Sequence, residues 1–503
     1  MSCSSARLTP LIRLTFLAAL SALLAFGFAP VGALAQEGDG MFHDPTGRFS
    51  FPLPDNWTNA DEEGLPHYVS PEGADLFVAT LESDTSTLEA VAAGVDAVAK
   101  SAGLGITDDP VQSSPVPVPG GVTWVQNIYL LDGGATIVAV IGRGEAGTVY
   151  TLILRGSQAA LAAATPALNA AILGFALAGE ISLGSALPEY ADEAAYTETE
   201  ITLRSGDLEL PATLTMPAGA ENVPAVVLVH GSGPNDRDET LGVLKPFRNL
   251  AVGLASRGIA VLRYDKRTYA YRGQPEMLGE TVTIDSETTD DAVAAIAQLA
   301  EIPGIDPSRV YVLGHSLGGM MAARIAARSG LTVGVIVMAG PARPYGEMLA
   351  SQVDYLDGLL AADASAPEGT TNAEVLGPVI VGLAKLAAGI APEEAFPDNP
   401  VGAAYWASIV AVDQMADAQA LDLPFLVLQG ERDYQVTMDD FVLWQDALAG
   451  NARATFISYP DVNHIFMALG DLSRKAIPAD YNAVGFVAQA VIEDIAGWIL
   501  GQE

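Results

Sequence analysis

The chain has 503 residues, and 24 Lys and Arg residues against 61 Asp and Glu residues give it a net charge of −37. This balance argues against a nucleic-acid-binding protein, which needs a basic footprint, and against docking on an anionic lipid surface. The hydrophobic content of 50% excludes a disordered acidic tail, and the length predicts two or three domains.

Residues 1–35 are predicted to be an export signal. Arg7 and Arg13 form a basic start, the run from Leu14 to Ala29 is apolar, and Ala33-Leu-Ala35 supplies a small-x-small cleavage site. We therefore expect cleavage after Ala35 and an exported protein, either periplasmic or extracellular. An uncleaved membrane anchor is the alternative, although the apolar run is short for a membrane span.

The single cysteine, Cys3, lies inside this signal. The mature chain is therefore expected to have no disulfide and no thiolate ligand, and a chain of this length buries a core without such cross-links. Metal-ligand spacing such as H-E-x-x-H does not occur in the sequence. We expect neither a metal nor an organic cofactor, and no membrane association once the signal has been removed.

A small α+β domain is predicted for residues 45–178, after a short polar connection at 36–44. Its order, β-β-α-β-β-β-α, predicts an antiparallel sheet covered by helices. The segment Phe49-Ser-Phe-Pro-Leu-Pro-Asp-Asn-Trp57 resembles the PsbP/DcrB-like domains of exported proteins. This resemblance implies an accessory domain, whose protein partner the sequence does not identify. Its strands are expected at 48–57, 123–131, 135–142 and 147–154, with a hairpin at 67–80 that turns at Pro71-Glu-Gly73, and its helices are expected at 86–101 and 157–173.

An acidic linker at 179–196 precedes an α/β pattern that fills residues 197–503. The pattern opens with a hairpin of two alternating strands, 197–204 and 208–215. Apolar strands then alternate with helices, which predicts a mostly parallel sheet with helices on both faces. The strands are expected at 225–229, 259–263, 310–313, 333–338, 424–428 and 454–458, and the helices at 246–256, 285–300, 317–328, 438–448 and 482–500.

A long insertion interrupts this alternation. About 85 residues separate the strand that ends at Met338 from the strand that begins at Pro424. That length is too great for a simple crossover, so residues 341–421 are predicted to form a helical lid.

The motif Gly314-His-Ser-Leu-Gly318 matches G-x-S-x-G and lies between a predicted buried strand and a predicted helix. The glycines permit a sharp turn and a close approach of helix to sheet, so that the serine side chain is exposed above the strand ends. Ser316 is therefore the candidate nucleophile.

A serine nucleophile needs a base, and elimination among five histidines selects one. His43 and His67 precede the α/β pattern, His315 is fixed beside the nucleophile, and His230 ends the first apolar strand, where it shapes the backbone. His464 remains, in the loop after the strand that ends at Ser458. Its position also satisfies the chain order serine, acid, histidine.

The acid that orients this imidazole is expected at a neighbouring strand end. Asp433 is the candidate, because it follows the predicted strand 424–428 at a suitable distance. Glu431 and Asp461 are the alternatives if that strand ends elsewhere.

An oxyanion hole needs backbone N–H groups aimed at the developing charge. One is expected from Leu317, which follows the nucleophile at a helix N-terminus. The other is expected from the loop His230-Gly-Ser-Gly233, with the Ser232 N–H preferred over that of Gly231.

Together these residues resemble the α/β-hydrolase superfamily and, within it, bacterial esterases of the EstD type, related to the serine aminopeptidase-like group. The resemblance implies an α/β-hydrolase fold, carboxylic-ester hydrolysis, and a triad of Ser316, Asp433 and His464. Asp236, Arg237 and Asp238 would support the oxyanion loop by ion pairs, or would be solvated loop charges. The resemblance is carried by His230-Gly-Ser-Gly-Pro-Asn-Asp-Arg-Asp238, Arg263-Tyr-Asp-Lys-Arg267, Gly314-His-Ser-Leu-Gly-Gly319 and Gly430-Glu-Arg-Asp-Tyr-Gln-Val436.

The chain departs from this pattern at one place. Relatives often continue R-Y-D-K-R with a glycine-rich turn, whereas Thr268-Tyr-Ala-Tyr-Arg272 follows here. The family's substrate contacts in this loop are therefore not carried over.

The leading hypothesis is an exported serine hydrolase that cleaves small-molecule esters with short acyl chains. Peptide cleavage at an N-terminus is the second hypothesis, in which the lid acids Asp354, Asp357 and Glu394 would bind the substrate amine. The third is an exported binding protein in which the first domain binds and the hydrolase domain is inactive. Turnover of esters against aminoacyl arylamides separates the first two.

Overall fold

A computed structural model describes residues 41–44, 48–54, 57–60, 66–117, 123–131, 135–145, 147–177, 187–241, 244–271, 274–279, 281–362, 371–397, 400–482 and 485–502. The predicted export signal and its cysteine lie outside these residues. The described chain divides into two compact units. The N-terminal unit holds residues 41–177 with 481 and 482, and the C-terminal unit holds 187–480 and 485–502.

The N-terminal unit contains a seven-stranded antiparallel sheet in the order β3-β4-β5-β9-β8-β7-β6 and a small sheet in the order β1-β2-β10. Helix α1 packs on the large sheet with Val91, Val95 and Val98, which are spaced to share one helix face. The elements are β1 (Met41–His43), β2 (Phe49–Pro52), β3 (Thr58–Asn59), β4 (His67–Val69), β5 (Asp75–Glu82), α1 (Leu88–Ser101), β6 (Gln112–Pro117), β7 (Thr123–Leu131), β8 (Thr136–Glu145), β9 (Thr148–Gly156), α2 (Gln158–Leu173) and β10 (Ala176–Leu177).

Four strands of this unit were not anticipated by the sequence pattern. Strand β1 begins inside the segment expected to be a polar connection, β3 follows the strand expected at 48–57, β6 precedes the expected strand at 123–131, and β10 follows helix α2. Strand β6 contains Pro115 and Pro117, which favour the edge of a sheet, and β6 is the edge strand.

The C-terminal unit is built on an eight-stranded sheet in the order β11-β12-β14-β13-β15-β16-β17-β18. The first two pairings along the sheet, β11 with β12 and β12 with β14, are antiparallel, and the remaining pairings are parallel. The strands are β11 (Tyr196–Ser205), β12 (Leu208–Pro217), β13 (Val223–Val229), β14 (Ala260–Tyr264), β15 (Ile305–His315), β16 (Thr332–Met338), β17 (Phe425–Gly430) and β18 (Ala454–Tyr459).

Helices cover both faces of this sheet. Alternate residues of β13 point to opposite faces: Val227 packs in the cluster that includes helices α5, α6 and α12, and Val226 packs in the cluster that includes α3 and α13. The fold is therefore α/β, as predicted. These helices are α3 (Pro246–Ala255), α4 (Arg267–Ala270), α5 (Asp290–Ala300), α6 (Leu317–Ser329), α12 (Met438–Ala447) and α13 (Gln489–Leu500).

The chain between β16 and β17, called the lid below, is helical in its described residues. It contains α7 (Tyr345–Ala362), α8 (Asn372–Ala387), α9 (Pro392–Ala395), α10 (Pro400–Val410) and α11 (Gln414–Gln419). Among the described residues, none of the helices combines the length and apolar character needed to cross a membrane.

Two helix starts differ from the sequence expectation. The segment expected to be helical from residue 285 begins as a π-turn at Asp285–Thr289 before α5. The last helix was expected from residue 482 but begins at Gln489, after the 3₁₀ turn Pro478–Asn482. Apolar periodicity alone does not mark these starts, because the turns before them are also partly buried.

Candidate active site

Ser316 lies at the sharp turn between strand β15 and helix α6. Its backbone has φ of 53° and ψ of −120°, a strained conformation for a residue with a side chain. The Ser316 N–H donates to the carbonyl oxygen of Met338 on β16 at 2.9 Å, so the neighbouring strand holds the turn in place.

The glycines of the motif are required by close packing. A Cβ atom on Gly314 would lie 2.0 Å from the carbonyl oxygen of Gly318, and one on Gly318 would lie 2.1 Å from that of Val229. No side chain fits at these separations, so helix α6 approaches the sheet through glycine alone.

His464 lies in a tight loop after strand β18. The fully buried side chain of Asn463 shapes this loop, because its Oδ1 accepts hydrogen bonds from the N–H groups of Ile465 and Met467 at 3.2 and 3.0 Å. The backbone of Phe466 adopts a φ of 61° to close the turn.

Asp433 follows strand β17 and contacts this histidine. Its Oδ2 lies 2.6 Å from His464 Nδ1, while its Oδ1 accepts hydrogen bonds from the N–H groups of Gln435 and Val436 at 2.7 and 3.1 Å. Both partners of the contact are buried. The carboxylate is thus oriented by its own turn and presents one oxygen to the imidazole.

The two alternative acids lie elsewhere. Glu431 Oε1 accepts a hydrogen bond from the Ser458 hydroxyl at 2.9 Å, on the neighbouring strand. The backbone carbonyl of Asp461 accepts from Leu469, which closes the loop around His464. The carboxylate in contact with the imidazole is therefore that of Asp433.

Within the described residues, no hydrogen bond joins Ser316 Oγ to His464. Hydrogen bonds between a nucleophile and its base often become short only when substrate is bound. The two residues nevertheless belong to adjoining segments, because His315, next to the serine, lies 3.0 Å from the His464 carbonyl oxygen through its Nε2.

The loop after strand β13 passes directly beside the serine. A Cβ atom on Gly231 would lie 3.1 Å from Ser316 Cβ and 3.6 Å from Ser316 Oγ. The Gly231 N–H donates to Glu239 Oε1 at 2.6 Å and is therefore occupied. In the part of the chain that the structure describes, the Ser232 N–H has no such acceptor, which favours Ser232 over Gly231 as the second expected donor.

The peptide between Gly231 and Ser232 is held at its carbonyl end. Lys266 Nζ donates to the Gly231 carbonyl oxygen at 2.9 Å, and Asn235 Nδ2 donates to the same atom at 3.2 Å. In a trans peptide the C=O and N–H bonds point in opposite directions. Holding this oxygen therefore fixes the direction of the Ser232 N–H.

Lys266 is almost fully buried and has a buried counterion. Its Nζ lies 3.4 Å from Glu287 Oε2, and both side chains are at most 6% exposed. Glu287 also accepts hydrogen bonds from Thr268 Oγ1 at 2.8 Å and from the Tyr405 hydroxyl at 2.7 Å. Because Tyr405 lies on α10, this network joins the loop beside the serine to the lid.

The charged residues of the same loop do not pair with one another. Arg237 contacts Asp265, with its Nε 2.9 Å from Oδ1. Asp238 contacts Arg263, with Arg263 Nη1 2.5 Å from its Oδ1. Both residues thus tie the loop to β14 and to the residue that follows it by ion pairs, which is one of the two expectations stated above.

Asp236 supports the loop without an ion pair. Its Oδ1 and Oδ2 accept hydrogen bonds from the N–H and hydroxyl of Thr240 at 2.8 and 2.7 Å. Burial, with the nearby charge of Asp238, raises the pKa of Asp236 to about 6. This half-buried residue therefore caps a turn, although its surroundings disfavour the charged form.

His230 is a buried residue behind the loop. Its ring lies 5.0 Å from that of Phe247 and 5.3 Å from that of Tyr264, between centroids. Burial lowers the pKa of His230 to about 4, so its imidazole is neutral at physiological pH. This location agrees with the backbone-shaping position expected from the sequence.

The first lid helix also reaches this loop. The Tyr345 hydroxyl lies 3.0 Å from Ser232 Oγ, and the Tyr345 ring lies 6.2 Å from that of Trp406. Phe396 stacks on Trp406 at 6.3 Å. Aromatic side chains of the lid therefore approach the segment that carries the expected oxyanion donor.

The lid acids considered for amine binding have other surroundings. Asp354 and Glu394 are exposed, and Asp357 accepts hydrogen bonds from the N–H groups of Asn372 and Ala373 at the start of α8. Asp357 thus caps a helix, a common role for aspartate.

Four residues that bear on the site were missed by the sequence reasoning. Glu239, Lys266, Asn235 and Tyr345 contact Gly231 or Ser232. Three of them had a signal: Asn235 and Lys266 lie within segments that resemble the family, and Glu239 directly follows one. Tyr345 had none, because lid contacts depend on tertiary packing.

The unusual segment after β14 is described by the structure up to Tyr271. It forms the short helix α4, and Thr268 joins the buried Lys266–Glu287 network through its hydroxyl. The Tyr271 hydroxyl donates to the carbonyl oxygen of Glu209 at 3.1 Å. This segment therefore supports the loop beside the serine from behind.

Comparison with known sequences agrees with this architecture. The Alpha/beta hydrolase family matches residues 226–472. Esterase EstD of Thermotoga maritima is 40% identical over 314 residues, which cover 62% of this chain and 70% of that protein. A putative esterase, NocK of Nocardia uniformis subsp. tsuyamanensis, is 28% identical over 137 residues, or 27% of this chain and 38% of that protein.

Solved structures of esterases are more distant. The esterase of Pyrobaculum calidifontis is 19% identical, with 60% of this chain and 85% of that chain covered and a TM-score of 0.38. EstE1, a thermostable carboxylesterase from a metagenomic library, is 20% identical, with 62% and 90% covered and a TM-score of 0.39.

Proposed function

Because the chain belongs to the α/β-hydrolase family as an EstD-like carboxylic-ester hydrolase, we propose that it cleaves esters by acyl transfer through Ser316, His464 and Asp433. The observation that carries this proposal is the 2.6 Å contact between His464 Nδ1 and Asp433 Oδ2. Because this contact occupies Nδ1, Nε2 is the nitrogen of His464 that accepts a proton. His315, the neighbour of Ser316 in the chain, contacts the carbonyl oxygen of His464 and so joins the two segments.

In the first half of the reaction, His464 Nε2 takes the proton of Ser316 Oγ as this oxygen attacks the ester carbonyl carbon. The imidazolium that forms is stabilised by the Asp433 carboxylate, which holds the Nδ1–H tautomer. The tetrahedral intermediate collapses, His464 returns the proton to the leaving alkoxide, and the acyl group remains on Ser316.

In the second half, water replaces the alcohol. His464 takes a proton from the water, the hydroxide attacks the acyl-enzyme carbonyl, and Ser316 leaves with the proton returned by His464. The products are a carboxylic acid and free enzyme, and the two halves together consume one water.

The oxyanion of both tetrahedral intermediates is bound by the N–H groups of Ser232 and Leu317. Leu317 is the first residue of α6, so its N–H has no intrahelical acceptor and lies at the positive end of the helix dipole. The Ser232 N–H is aimed by the Lys266 and Asn235 contacts to the Gly231 carbonyl oxygen.

The substrates we propose are small-molecule esters with short acyl chains. The support is a row of aromatic side chains that begins at Tyr345, beside Ser232, and continues through Trp406 to Phe396. In a panel of p-nitrophenyl esters, kcat/KM is expected to be highest for acetate or butyrate and to fall by octanoate. A maximum at octanoate or longer would contradict this preference.

The decisive test is Ser316→Ala, which is expected to reduce kcat on p-nitrophenyl acetate by at least about a thousandfold. A fluorophosphonate probe is expected to label the wild type at Ser316 and to leave the variant unlabelled. Retained turnover in the variant, or an unlabelled and inactive wild type, would overturn the proposal. The second outcome would favour a binding protein.

We further propose that the enzyme acts outside the cytoplasm with residues 45–178 as an accessory domain. The support is the signal-like sequence of residues 1–35. Mass spectrometry of the protein isolated from its native cells is expected to show Gln36 as the first residue. An N-terminus upstream of Ala35 would contradict the cleavage.

A further inference from the structure

A second carboxylate–histidine contact lies beside the one between Asp433 and His464. Glu239 Oε2 lies 2.9 Å from His315 Nδ1, and both side chains are less than 10% exposed. The ring N–H does not point along this contact, so it is an ion pair rather than an aligned hydrogen bond. The mechanism above assigns no step to either residue.

Each partner also contacts a different segment of the site. The other carboxylate oxygen, Glu239 Oε1, accepts the Gly231 N–H at 2.6 Å. The other imidazole nitrogen, His315 Nε2, lies 3.0 Å from the carbonyl oxygen of His464. The contacts therefore run without interruption from the loop beside the serine to the loop that carries the base.

The acceptors around His315 define its protonation. A carboxylate oxygen faces Nδ1 and a carbonyl oxygen faces Nε2, so the surroundings of both nitrogens favour the doubly protonated, charged ring. Burial disfavours the charged ring, but the Glu239 carboxylate, the His464 carbonyl and the charge of Asp433 outweigh burial and raise the pKa of His315. The ion pair in turn lowers the pKa of Glu239 against its burial.

The remaining neighbours of His315 do not compete for this charge. The ring of His464 lies 4.8 Å away between centroids, and the rings of Phe247 and Phe466 lie at 6.5 Å. His230 is neutral because burial lowers its pKa to about 4. Glu239 is thus the only carboxylate in direct contact with His315 among the described residues.

The backbone of Glu239 has a strained conformation, which indicates that the surrounding loop holds this residue in place. Its φ is 52°, in the left-handed region that residues with side chains rarely adopt. The Glu239 N–H donates to the Asp236 carbonyl oxygen at 2.9 Å, which holds this turn. The loop therefore accepts a strained residue at the point from which a carboxylate reaches both Gly231 and His315.

We propose that Glu239 and His315 are positioning residues, a buried charged pair that sets the separation between the base His464 and the oxyanion loop at Gly231. This inference rests on the proposed function, because it assigns those two segments their roles in the reaction. The pair acts through His464 and Gly231 and does not touch the reacting atoms.

The expected signature is a loss of kcat with little change in KM. If the pair is removed, the substrate still binds in the pocket, but the base and the oxyanion donor lose their mutual alignment. A displacement of about 1 Å at such a site lowers rates on the order of 100-fold. Glu239→Ala is therefore expected to lower kcat on p-nitrophenyl acetate about 100-fold and to change KM by less than about threefold.

The conservative variant separates positioning from mere stability. In Glu239→Gln the amide oxygen still accepts the Gly231 N–H, and the amide nitrogen donates to His315 Nδ1. His315 then stays neutral with its Nε2–H on the His464 carbonyl. Because the hydrogen-bonded connection between Gly231 and His315 is kept, kcat of Glu239→Gln is expected to be at least about tenfold higher than kcat of Glu239→Ala.

A double-variant cycle tests whether the two residues act together. Glu239→Ala with His315→Gln is expected to lie within about threefold of the more impaired single variant, because both changes break one connection. Independent roles would make the losses multiply. The matched control is Asp291→Ala, which removes an equally buried carboxylate from Arg267, 2.5 Å away, and is expected to leave kcat within about threefold of the wild type.

Labelling by the fluorophosphonate probe is measured beside turnover, since it reports the base and nucleophile without an ester substrate. If the wild type is active and labelled, and kcat of Glu239→Ala lies within threefold of the wild-type value, this inference is overturned but the proposed function is not. The inference would also be overturned if the kcat losses of the two single variants multiplied in the double variant, or if Glu239→Gln were as impaired as Glu239→Ala. It would likewise be overturned if Asp291→Ala lost as much kcat as Glu239→Ala. An inactive, unlabelled wild type would overturn the proposed function and this inference with it.

Discussion

Lys266 Nζ lies 2.9 Å from the carbonyl oxygen of Gly231 and thereby orients the peptide that carries the Ser232 N–H. The ammonium group is buried, and its counterion Glu287 is hydrogen-bonded to Tyr405 of the lid. The Ser232 N–H, the proposed oxyanion donor, is therefore oriented by the buried ammonium group of Lys266, which does not contact the substrate.

The first prediction concerns this lysine. Lys266→Met is expected to lower kcat on p-nitrophenyl acetate by about 10- to 100-fold, since loss of one oxyanion donor costs about 100- to 1,000-fold and here the donor is misdirected rather than removed. Steady-state kinetics measure the effect. Lys385→Met, an exposed change on lid helix α8, is the control and is expected to leave kcat unchanged.

Lys266→Met also leaves the Glu287 carboxylate buried without its cation, which by itself destabilises a fold by about 3–5 kcal/mol. The double variant Lys266→Met with Glu287→Gln removes both charges and is expected to regain most of the stability but not the kcat. If kcat returned together with stability, the lysine would have no role in orienting Ser232.

The second prediction concerns the acid. Asp433→Asn keeps the size of the side chain and the acceptor for Gln435, but its amide favours the wrong tautomer of His464. We expect kcat to fall by about 1,000- to 10,000-fold, as measured by ester hydrolysis. Glu431→Gln changes the alternative acid and is expected to retain activity within about threefold; the reverse ranking would identify Glu431 as the acid.

The third prediction concerns the anchor of the lid. Asp440 is fully buried and accepts hydrogen bonds from the N–H groups of Ala342 and Arg343, both at 3.0 Å, where the chain leaves the sheet for the lid. It also pairs with the Arg343 guanidinium at 2.7 Å. Asp440→Ala is expected to lower the free energy of unfolding by about 3–5 kcal/mol.

Urea unfolding followed by tryptophan fluorescence measures this loss. Asp439→Ala is the matched control, because Asp439 lies in the same first turn of α12 but is exposed. Its effect is expected to stay below about 1 kcal/mol, the usual range for a charge at a helix N-terminus. Equal effects of the two variants would show that the Asp440 contacts add no stability beyond the helix dipole.

The fourth prediction is a pH dependence of stability. Burial raises the pKa of Asp236 to about 6, above its ordinary value of 3.8, so the folded chain holds this proton more tightly than the unfolded chain. Its contribution to stability is therefore fully present below about pH 4 and is lost as the pH rises through about 6.

Asp236→Asn removes this loss, because the amide is neutral at every pH and still bonds to Thr240. At pH 8 the variant is expected to be more stable than the wild type by about 1–3 kcal/mol, given about 1.4 kcal/mol per pKa unit. At pH 4 the two are expected to be equally stable. Urea unfolding at both values measures this, and a gain independent of pH would contradict it.

Sequence patterns were sufficient for the sheet and for the segments that carry the site. Strand β13 and residues Val310–Leu313 of β15 are unbroken apolar runs, and the motif glycines mark where helix α6 approaches the sheet closely. The contact between Asp433 and His464 also follows from order along the chain, because the carboxyl ends of parallel strands meet at one edge.

The contacts that orient the site were not predictable in this way. Glu239 and Lys266 are charged residues in loops, and the pattern does not distinguish a buried charge from a solvated one. Their roles depend on partners far along the chain, His315 and Glu287, which only the folded structure brings to them. Strand β6 was missed for a different reason, since its prolines weaken any strand pattern.

The lid enters and leaves the sheet between two neighbouring parallel strands. Residues Val335–Met338 of β16 remain in register with Phe425–Leu428 of β17 although the whole insertion lies between them. An exchange, shortening or duplication of lid sequence away from Tyr345 and Tyr405 is therefore expected to be absorbed outside the sheet and to leave the spacing of Ser316, Asp433 and His464 unchanged. In such a chain, a change of lid sequence is expected to alter the range of substrates more than the bond-breaking chemistry.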